Sequence, residues 1–581
     1  IPFHNFSENI SGIYENAERK TMLRQKNEEL HSIADVVCSN TGMTKEALLH
    51  DTHTYRIDGL ETAAQIIRDG IRAGKIFYIM GDFDVDGIMA SAGMVMGLGR
   101  LHAKKMVRLP RRFTEGYGLQ RETVMDCRDG QILITVDNGI SSIDAVALAK
   151  EKGMTVIIID HHLPVKDPGT DKPVYPDADC IIDPNAMPGS ADFDGYCGAG
   201  LTFKLCQTLL GNDPIIRKIQ SLAAVATVAD SVPLTHENRR IVKQGMKDMI
   251  TQQGSTIGLY ALLTELGLED QIDEVKIGYK LAPVLNAPGR LLDNGAMQSL
   301  MLMIYEGEYG KAQTMAKQLV DINQTRKDES AKWSQLTEDY IRAHHMENDY
   351  PLVVHMSGIP EGIIGIIAGR MSELFQTPCI LLGDNEETGQ LKGSCRSDGC
   401  VDLKDLLDHT PEFLTRYGGI ALKEENLDAF RTAAKHYLDG KRPEKSNETL
   451  YDLEVTPKNA KNFAYEVEQY APYGIGNPVP TFFMKDLTLM PNGSEYYKFI
   501  SGEEGVKLFG EDFDAVSFHG REEYRELGYP RHVSLYGTLS VNRHLGYEKA
   551  QMVYTLISPV EQNNGHNRLR EALADKAAAR A

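Results

Sequence analysis

Three short runs, Ile76–Met80, Ile132–Val136 and Thr155–Ile159, are almost continuously apolar rather than alternating, and each pair is separated by enough chain for a crossover helix. Runs of this kind predict strands of a parallel sheet buried on both faces. Each ends in acids. The first leads into Gly81-Asp82-Phe83-Asp84-Val85-Asp86-Gly87, the second into Asp137-Asn138-Gly139 and the third into Asp160-His161-His162. Open α/β sheets bind ligands where the carboxyl ends of the strands meet. The pattern therefore gathers at least five carboxylates and two imidazoles in one crevice.

Further along, residues 222–228 form an apolar helical pattern that ends at Asp230. Residues 311–350 contain neither Gly nor Pro, are rich in Ala, Gln, Lys and Leu, and stop at Pro351, which predicts one long helix. Beyond it the strand-like residues 352–354 and 379–382 alternate with a Gly-rich helical stretch near 363–371, as in a second, smaller α/β domain. From Thr449 to about Pro559 the pattern shortens to 481–483, 506–509, 533–536 and 552–554, broken by Gly and Pro, the signature of a small β-barrel. The residues from Gln562 onward read as a marginal helix.

Asp82, Asp84, Asp86, Asp137 and Asp160 crowded at strand ends would repel one another strongly unless protonated or bound to metal. Carboxylates mixed with imidazole suit manganese, magnesium or zinc, and so rich a cluster can hold two ions roughly 3.5–4 Å apart. Two such ions clamp the attacking and leaving oxygens of a phosphoryl centre, which predicts a hydrolytic site. Calcium fits less well. Asp82-x-Asp84-x-Asp86-Gly87 opens like an EF-hand loop, but its twelfth position is Gly93 and a strand precedes it. Taken alone, His161-His162 reads as an exposed turn and Asp137-Asn138-Gly139 as a turn signal; only their conjunction is specific.

The 581 residues exceed one core and predict several domains. A net charge of −20 argues against binding nucleic acid over the whole surface, yet Lys104, Lys105, Arg108, Arg111 and Arg112 form a local basic run beside Glu115-Gly116-Tyr117-Gly118. Eight cysteines with no Cys-x-x-Cys spacing imply neither a disulfide framework nor a structural zinc, so a reducing cytoplasm is the expected compartment. No membrane-spanning run and no secretory signal is present in the sequence, and a few residues are expected to precede Ile1. Without a Gly-x-x-x-x-Gly-Lys loop, ATP-driven unwinding is not expected of this chain itself.

The acid-bearing segments, with residues 228–234 (Val-Ala-Asp-Ser-Val-Pro-Leu), resemble the four motifs of the DHH phosphoesterases. The resemblance narrows to the RecJ single-strand exonucleases through residues 112–119, Glu237-Asn238-Arg239, residues 285–290 (Leu-Asn-Ala-Pro-Gly-Arg), residues 362–370, Gly393-Ser394-Cys395-Arg396-Ser397 and residues 472–478, and it spans roughly residues 30–560. It implies a DHH parallel-sheet catalytic domain with a helical amino-terminal segment at 1–240, a helical connector at 241–350, a DHHA1 domain at 351–448, an OB fold binding nucleic acid at 449–560 and a tail at 561–581. It also implies 5′-to-3′ hydrolysis of single-stranded DNA in recombination and repair, dependent on two divalent cations, Mn2+ before Mg2+.

The site expected on these grounds has Asp82, Asp84, Asp86, Asp137, His161 and Asp230 as metal ligands, with Asp137 bridging. His162 is expected on the scissile phosphate and Asp160 behind it, orienting the imidazole. Arg112, Arg290 and Arg396 are candidate phosphate clamps, since guanidinium matches phosphate bidentately; Asn286, Ser394, Gly418 and Gly419 complete the substrate-binding set. In the barrel, Tyr496, Tyr497, Lys498, Phe499, Arg543 and His544 are candidate contacts for a single strand. A helicase or a single-strand-binding protein is a possible partner class, and no membrane is expected. Two other functions compete: a DHH phosphodiesterase for short oligonucleotides or cyclic dinucleotides, against which the barrel argues, and a nuclease-dead scaffold, against which the complete metal motifs argue. The sequence departs from the family after Arg416-Tyr417-Gly418-Gly419, where Ile420 follows at once instead of a His and a small-residue run. About six residues of a substrate loop are expected to be missing there; a true deletion is the alternative.

Overall fold

The computed structural model describes residues 22–167, 169–385, 389–397, 399, 401–410, 420–442, 448–500, 504–544 and 547–560. They fall into two compact units, one formed mainly by residues 46–444 with 472–477, the other by the described residues up to 45, 448–471 and those from 478 on.

The first unit contains a five-stranded parallel sheet in the order Lys104–Arg108, Ile76–Met80, Ile132–Val136, Thr155–Ile159, Cys180–Ile182. The three strands read from the continuous apolar runs are its centre. Both faces are covered, so both sets of alternating side chains must be apolar: Phe77, Ile79, Ile134, Ile157 and Ile159 enter one core, while Tyr78, Leu133, Val156 and Ile158 enter another with Ala145, Val146 and Ala149. The edge strand Lys104–Arg108 is only partly buried, which is why its lysines are compatible with a strand.

Helices Gly198–Leu210, Ile215–Ala229 and His236–Met249 pack onto the first core. Ala282–Leu291 follows, with Pro288 inside it, and then Ala296–Met303. The long helix runs over Tyr309–Ala343, seven residues shorter at its end than the Gly/Pro-free stretch suggested. His345 has φ +55, and Asn348 and Asp349 favour turns over helix, while the residue before Pro351 is biased away from helical ψ. The second sheet has the order Ile420–Leu422, Gln390–Arg396, Cys379–Asn385, Leu352–His355, parallel only in its last pair, with helix Glu361–Phe375 across it.

In the other unit, seven strands follow the order Leu453–Val455, Thr481–Thr488, His532–His544, Tyr547–Pro559, Phe513–Ser517, Gly505–Phe509, Tyr497–Ile500. Met490, just past the second of these, donates its N–H to the Phe509 carbonyl at 2.8 Å, curling the sheet towards closure. The amino-terminal boundary requires a correction. Met22–Gln25 pairs in parallel with Glu448–Tyr451, and helix Ile33–Thr41 packs near helix Ala460–Gln469, so residues 22–45 belong with the carboxy-terminal unit and not with the catalytic sheet. Strand pairing across such a sequence separation leaves no local signal in either segment.

Candidate active site: a carboxylate and imidazole centre beside a guanidinium cluster

Asp82, Asp86, Asp137 and Asp160 are all buried at the carboxyl ends of the central strands or in the helix turn that follows. Asp84 caps helix Val85–Arg100, accepting from the Gly87 N–H at 3.1 Å. Asp137 has φ +61, a left-handed conformation that costs a non-glycine residue about 1–2 kcal/mol. The turn that imposes it also directs the carboxylate towards His161, whose Nε2 lies 3.1 Å from Asp137, 3.6 Å from Asp86 and 3.6 Å from Asp230. Three overlapping sets have ligand atoms close enough to share an ion: Asp82, Asp84 and Asp137; Asp86, His161 and Asp230; and Asp137, His161 and His162.

The backbone explains how Asp86 tolerates its burial. Its carboxylate accepts the N–H groups of Gly198 at 2.6 Å and Ala199 at 2.8 Å, at the positive end of helix Gly198–Leu210. A Cβ on residue 198 would lie 2.7 Å from the Cβ of Asp137, so only glycine lets that helix end approach the centre. Gly198 and Ala199 have no acidic or basic signature in the sequence. Their one trace is the Gly198-Ala199-Gly200 start of an apolar helix.

The electrostatics fit cations. Burial, followed by the neighbouring carboxylates, raises Asp82, Asp84 and Asp137, and pushes Asp230 up to about 8. Burial also lowers His161, favouring the neutral imidazole, whose lone pair a cation can take. Buried Asp82 Oδ1 has no hydrogen-bond partner among the described residues. Carboxylates whose charge is disfavoured by burial and by one another, beside a neutral imidazole and an unsatisfied carboxylate oxygen, are what divalent cations complete by displacing the protons.

Asp160 behaves differently. Burial alone would raise it, but His162 Nδ1 at 2.7 Å and the Ile140 N–H at 2.9 Å hold its carboxyl below the usual range. Burial disfavours the His162 cation, yet the Asp160 partner prevails and lifts it to about 9. The hydroxyl of Tyr117 lies 3.0 Å from His162 Nε2, and its ring meets Phe83 edge-on. Tyr117 lies in a motif carried by the sequence but was given no role there.

Next to the carboxylates stands a positive cluster. The Arg112 guanidinium sits 4.6 Å from the Phe83 ring centroid, and its loop is pinned by Asp293, which accepts from the Phe113 N–H (2.9 Å), the Thr114 N–H (3.1 Å) and the Thr114 hydroxyl (2.8 Å). Arg290 donates to the Gly362 carbonyl at 3.3 Å. Burial, then the charges of Arg112, Arg326 and Arg396, pushes the Arg290 guanidinium down to about 9. Arg396 donates to the Ser394 hydroxyl at 2.8 Å, and a Cβ on Gly365 would approach its Nη2 to 2.7 Å. Arg326, held by Asn323 at 2.9 and 3.1 Å, carries no signal in the sequence, being one Arg in a charged helix. Asn286 is half-buried on the helix that carries Arg290. Gly418 and Gly419 lie outside the described residues, as does the junction where a missing loop was expected.

Other expected contacts are committed elsewhere. Arg108 pairs with Glu115 and, at 3.3 Å, with Asp126. In the other unit Arg543 is held by Glu468 and Glu548, and Tyr497 stacks on Tyr529 with centroids 5.1 Å apart. Lys498 is exposed, and Arg531 and Arg521 lie over Tyr496 and Phe499. The side chain of His544 lies outside the described residues.

Residues 76–227 match the model of the DHH family, N-terminal domain, and residues 451–555 that of the RecJ OB domain. A Salmonella typhimurium protein named single-stranded-DNA-specific exonuclease RecJ is 32% identical over 409 residues, covering 65% of this chain and 68% of the relative. The chain belongs to the RecJ family. The RecJ of Bacillus subtilis is 28% identical, with 88% of this chain covered; the match spans 64% of that relative's length. The crystal structure of Thermus thermophilus RecJ in complex with Mn2+ superposes with a TM-score of 0.73 at 25% identity, over 91% of this chain and 76% of the other. The fold is the α/β class of RecJ, with a DHH parallel sheet and an OB domain towards the carboxyl end.

Proposed function

We propose that this RecJ-family chain hydrolyses the terminal phosphodiester of single-stranded DNA, in the 5′-to-3′ direction, in recombination and repair. The observation that carries the proposal is the adjacency, within one unit, of a ligand set for two cations and four converging guanidinium groups. The names of the Salmonella and Bacillus relatives, and the Mn2+ in the Thermus structure, support the substrate and the metal.

Asp82, Asp84 and Asp137 would hold one cation, and Asp86, His161 and Asp230 the other. Asp137 belongs to the first of these sets and lies 3.1 Å from His161 Nε2 of the second, which supports the bridging role proposed for it. When bound, the two ions supply Lewis-acid stabilisation of the phosphoryl oxygens and activate the attacking water. The chain's own groups do the rest. Arg112, Arg290 and Arg396, with Asn286 and Ser394, orient the terminal phosphate. Asp160 fixes the His162 ring through Nδ1 and favours its protonated form, so that Nε2–H can donate to a phosphate oxygen as charge develops there. The Phe83 and Tyr117 rings wall the same crevice.

The OB unit is assigned to holding the strand beyond the scissile nucleotide, and the cytoplasm is the proposed compartment. Among the described residues no helix is long and apolar enough to cross a membrane. With no phosphate loop of its own, the chain would rely on a helicase or a single-strand-binding protein to present its substrate. The test is digestion of an end-labelled single strand and the matching duplex with Mn2+. Release of the 5′ label from the single strand alone is expected, and equal attack on the duplex would overturn the reading.

A further inference from the structure

Helix His236–Met249 begins just after Asp230 and carries Arg239, Lys243 and Lys247 at intervals of four residues, with Arg240 beside them. Residues spaced by four share one helix face and rise by about 6 Å per step. Like charges at this spacing destabilise a helix. The lower part of the stripe is accounted for: Arg239 donates to the Leu48 and Pro472 carbonyls at 3.1 and 3.2 Å, and Arg240 is held by Glu237 and the His53 carbonyl. Lys243 and Lys247 differ. Among the described residues neither has an ion pair or a hydrogen bond.

These side chains line a cavity of about 210 Å³, closed on its other side by residues 47–51 and flanked by His50 and His236. Its one carboxylate, Asp51, already accepts from the His53 N–H at 2.9 Å and the Tyr55 hydroxyl at 3.0 Å. Asp248, farther along the helix, is held by Arg217. Desolvation, then Arg239 and Lys247, lowers the Lys243 ammonium. In a chain of net charge −20, lysines placed where they destabilise their own helix, with no acid paired to them among the described residues, are suited to a polyanion.

We infer that the Lys243 and Lys247 stripe is a secondary contact for the phosphodiester backbone of a single strand, distinct from the carboxylate centre. The inference rests on the proposed action on single-stranded DNA. A nucleic-acid backbone is favoured over an acidic polypeptide because the charges repeat at a step close to one extended nucleotide, and because the same unit holds the phosphodiesterase centre.

The test is a salt titration of DNA binding, with divalent cations chelated to prevent cleavage, using a long single strand and a short oligonucleotide. The unsubstituted chain is compared with Lys243→Gln/Lys247→Gln and with the control Lys317→Gln/Lys327→Gln, which removes two exposed lysines from the long helix. For the long strand, the slope of log affinity against log salt should fall by about 1.4 in the stripe variant, as for two lost contacts, and stay constant in the control. Thermal stability should hold or rise, since a like-charge contact is removed. The inference is overturned by an unchanged slope, by an equal loss on the short oligonucleotide, or by loss of polyglutamate binding with DNA binding intact. If the unsubstituted chain binds no single strand at all, the proposed function fails instead.

Discussion

Asp137 combines a strained backbone, complete burial and membership of two ligand sets, so its carboxylate is the hardest to replace. Asp137→Ala or Asp86→Ala should lower cleavage at least about a thousandfold while single strands still bind, as measured by single-turnover digestion beside a binding assay. Gly198→Ala tests the support of that site. Its added methyl must displace Asp137 or the helix end that holds Asp86, and activity should drop about a hundredfold with the ligands themselves untouched. Asp183 gives a pH signature for stability. Burial raises its carboxyl from 3.8 to about 8, so the folded chain keeps a proton that the unfolded chain releases. That contribution is complete below about pH 4 and is lost as pH rises through 8. Asp183→Asn should therefore flatten the fall in melting temperature between about pH 4 and 8 and raise it at the upper end. An unchanged profile would show that the proton is not retained.

At the scale of elements, the Asp293 carboxylate fixes the loop that presents Arg112 through three hydrogen bonds from residues 113 and 114. Asp293→Ala should raise KM for a phosphorylated strand about tenfold with a smaller change in kcat, because it loosens a substrate-binding loop and leaves the metal centre intact. The central strands were legible because burial on both faces demands unbroken apolar runs, and the acids at their ends were legible because they follow those runs directly. The edge strand Lys104–Arg108 and the barrel strand Phe513–Ser517 were not read as strands. In the second, Asp514 is buried yet answered by Lys507 and Lys549, each at 2.7 Å, so an acid that reads as surface is in fact interior. Arg326 and the Gly198 and Ala199 N–H groups escaped for a related reason: their role lies in where packing brings them.

At the scale of the molecule, the chain divides differently from its linear order, since the amino-terminal strand Met22–Gln25 completes a parallel pair with Glu448–Tyr451. Removing residues from 449 onward alone strands that segment. Removing both parts of the unit should weaken binding of long strands far more than turnover of a dinucleotide, and equal losses would make the OB unit structural only. One cation centre should release nucleotides from the 5′ end of single strands. A rapid-quench time course on a 5′-labelled single strand, with Mn2+ and after chelation, measures this. Labelled mononucleotide is expected as the first product, and none after chelation. Internal fragments as first products, or undiminished release in the chelator, would contradict it.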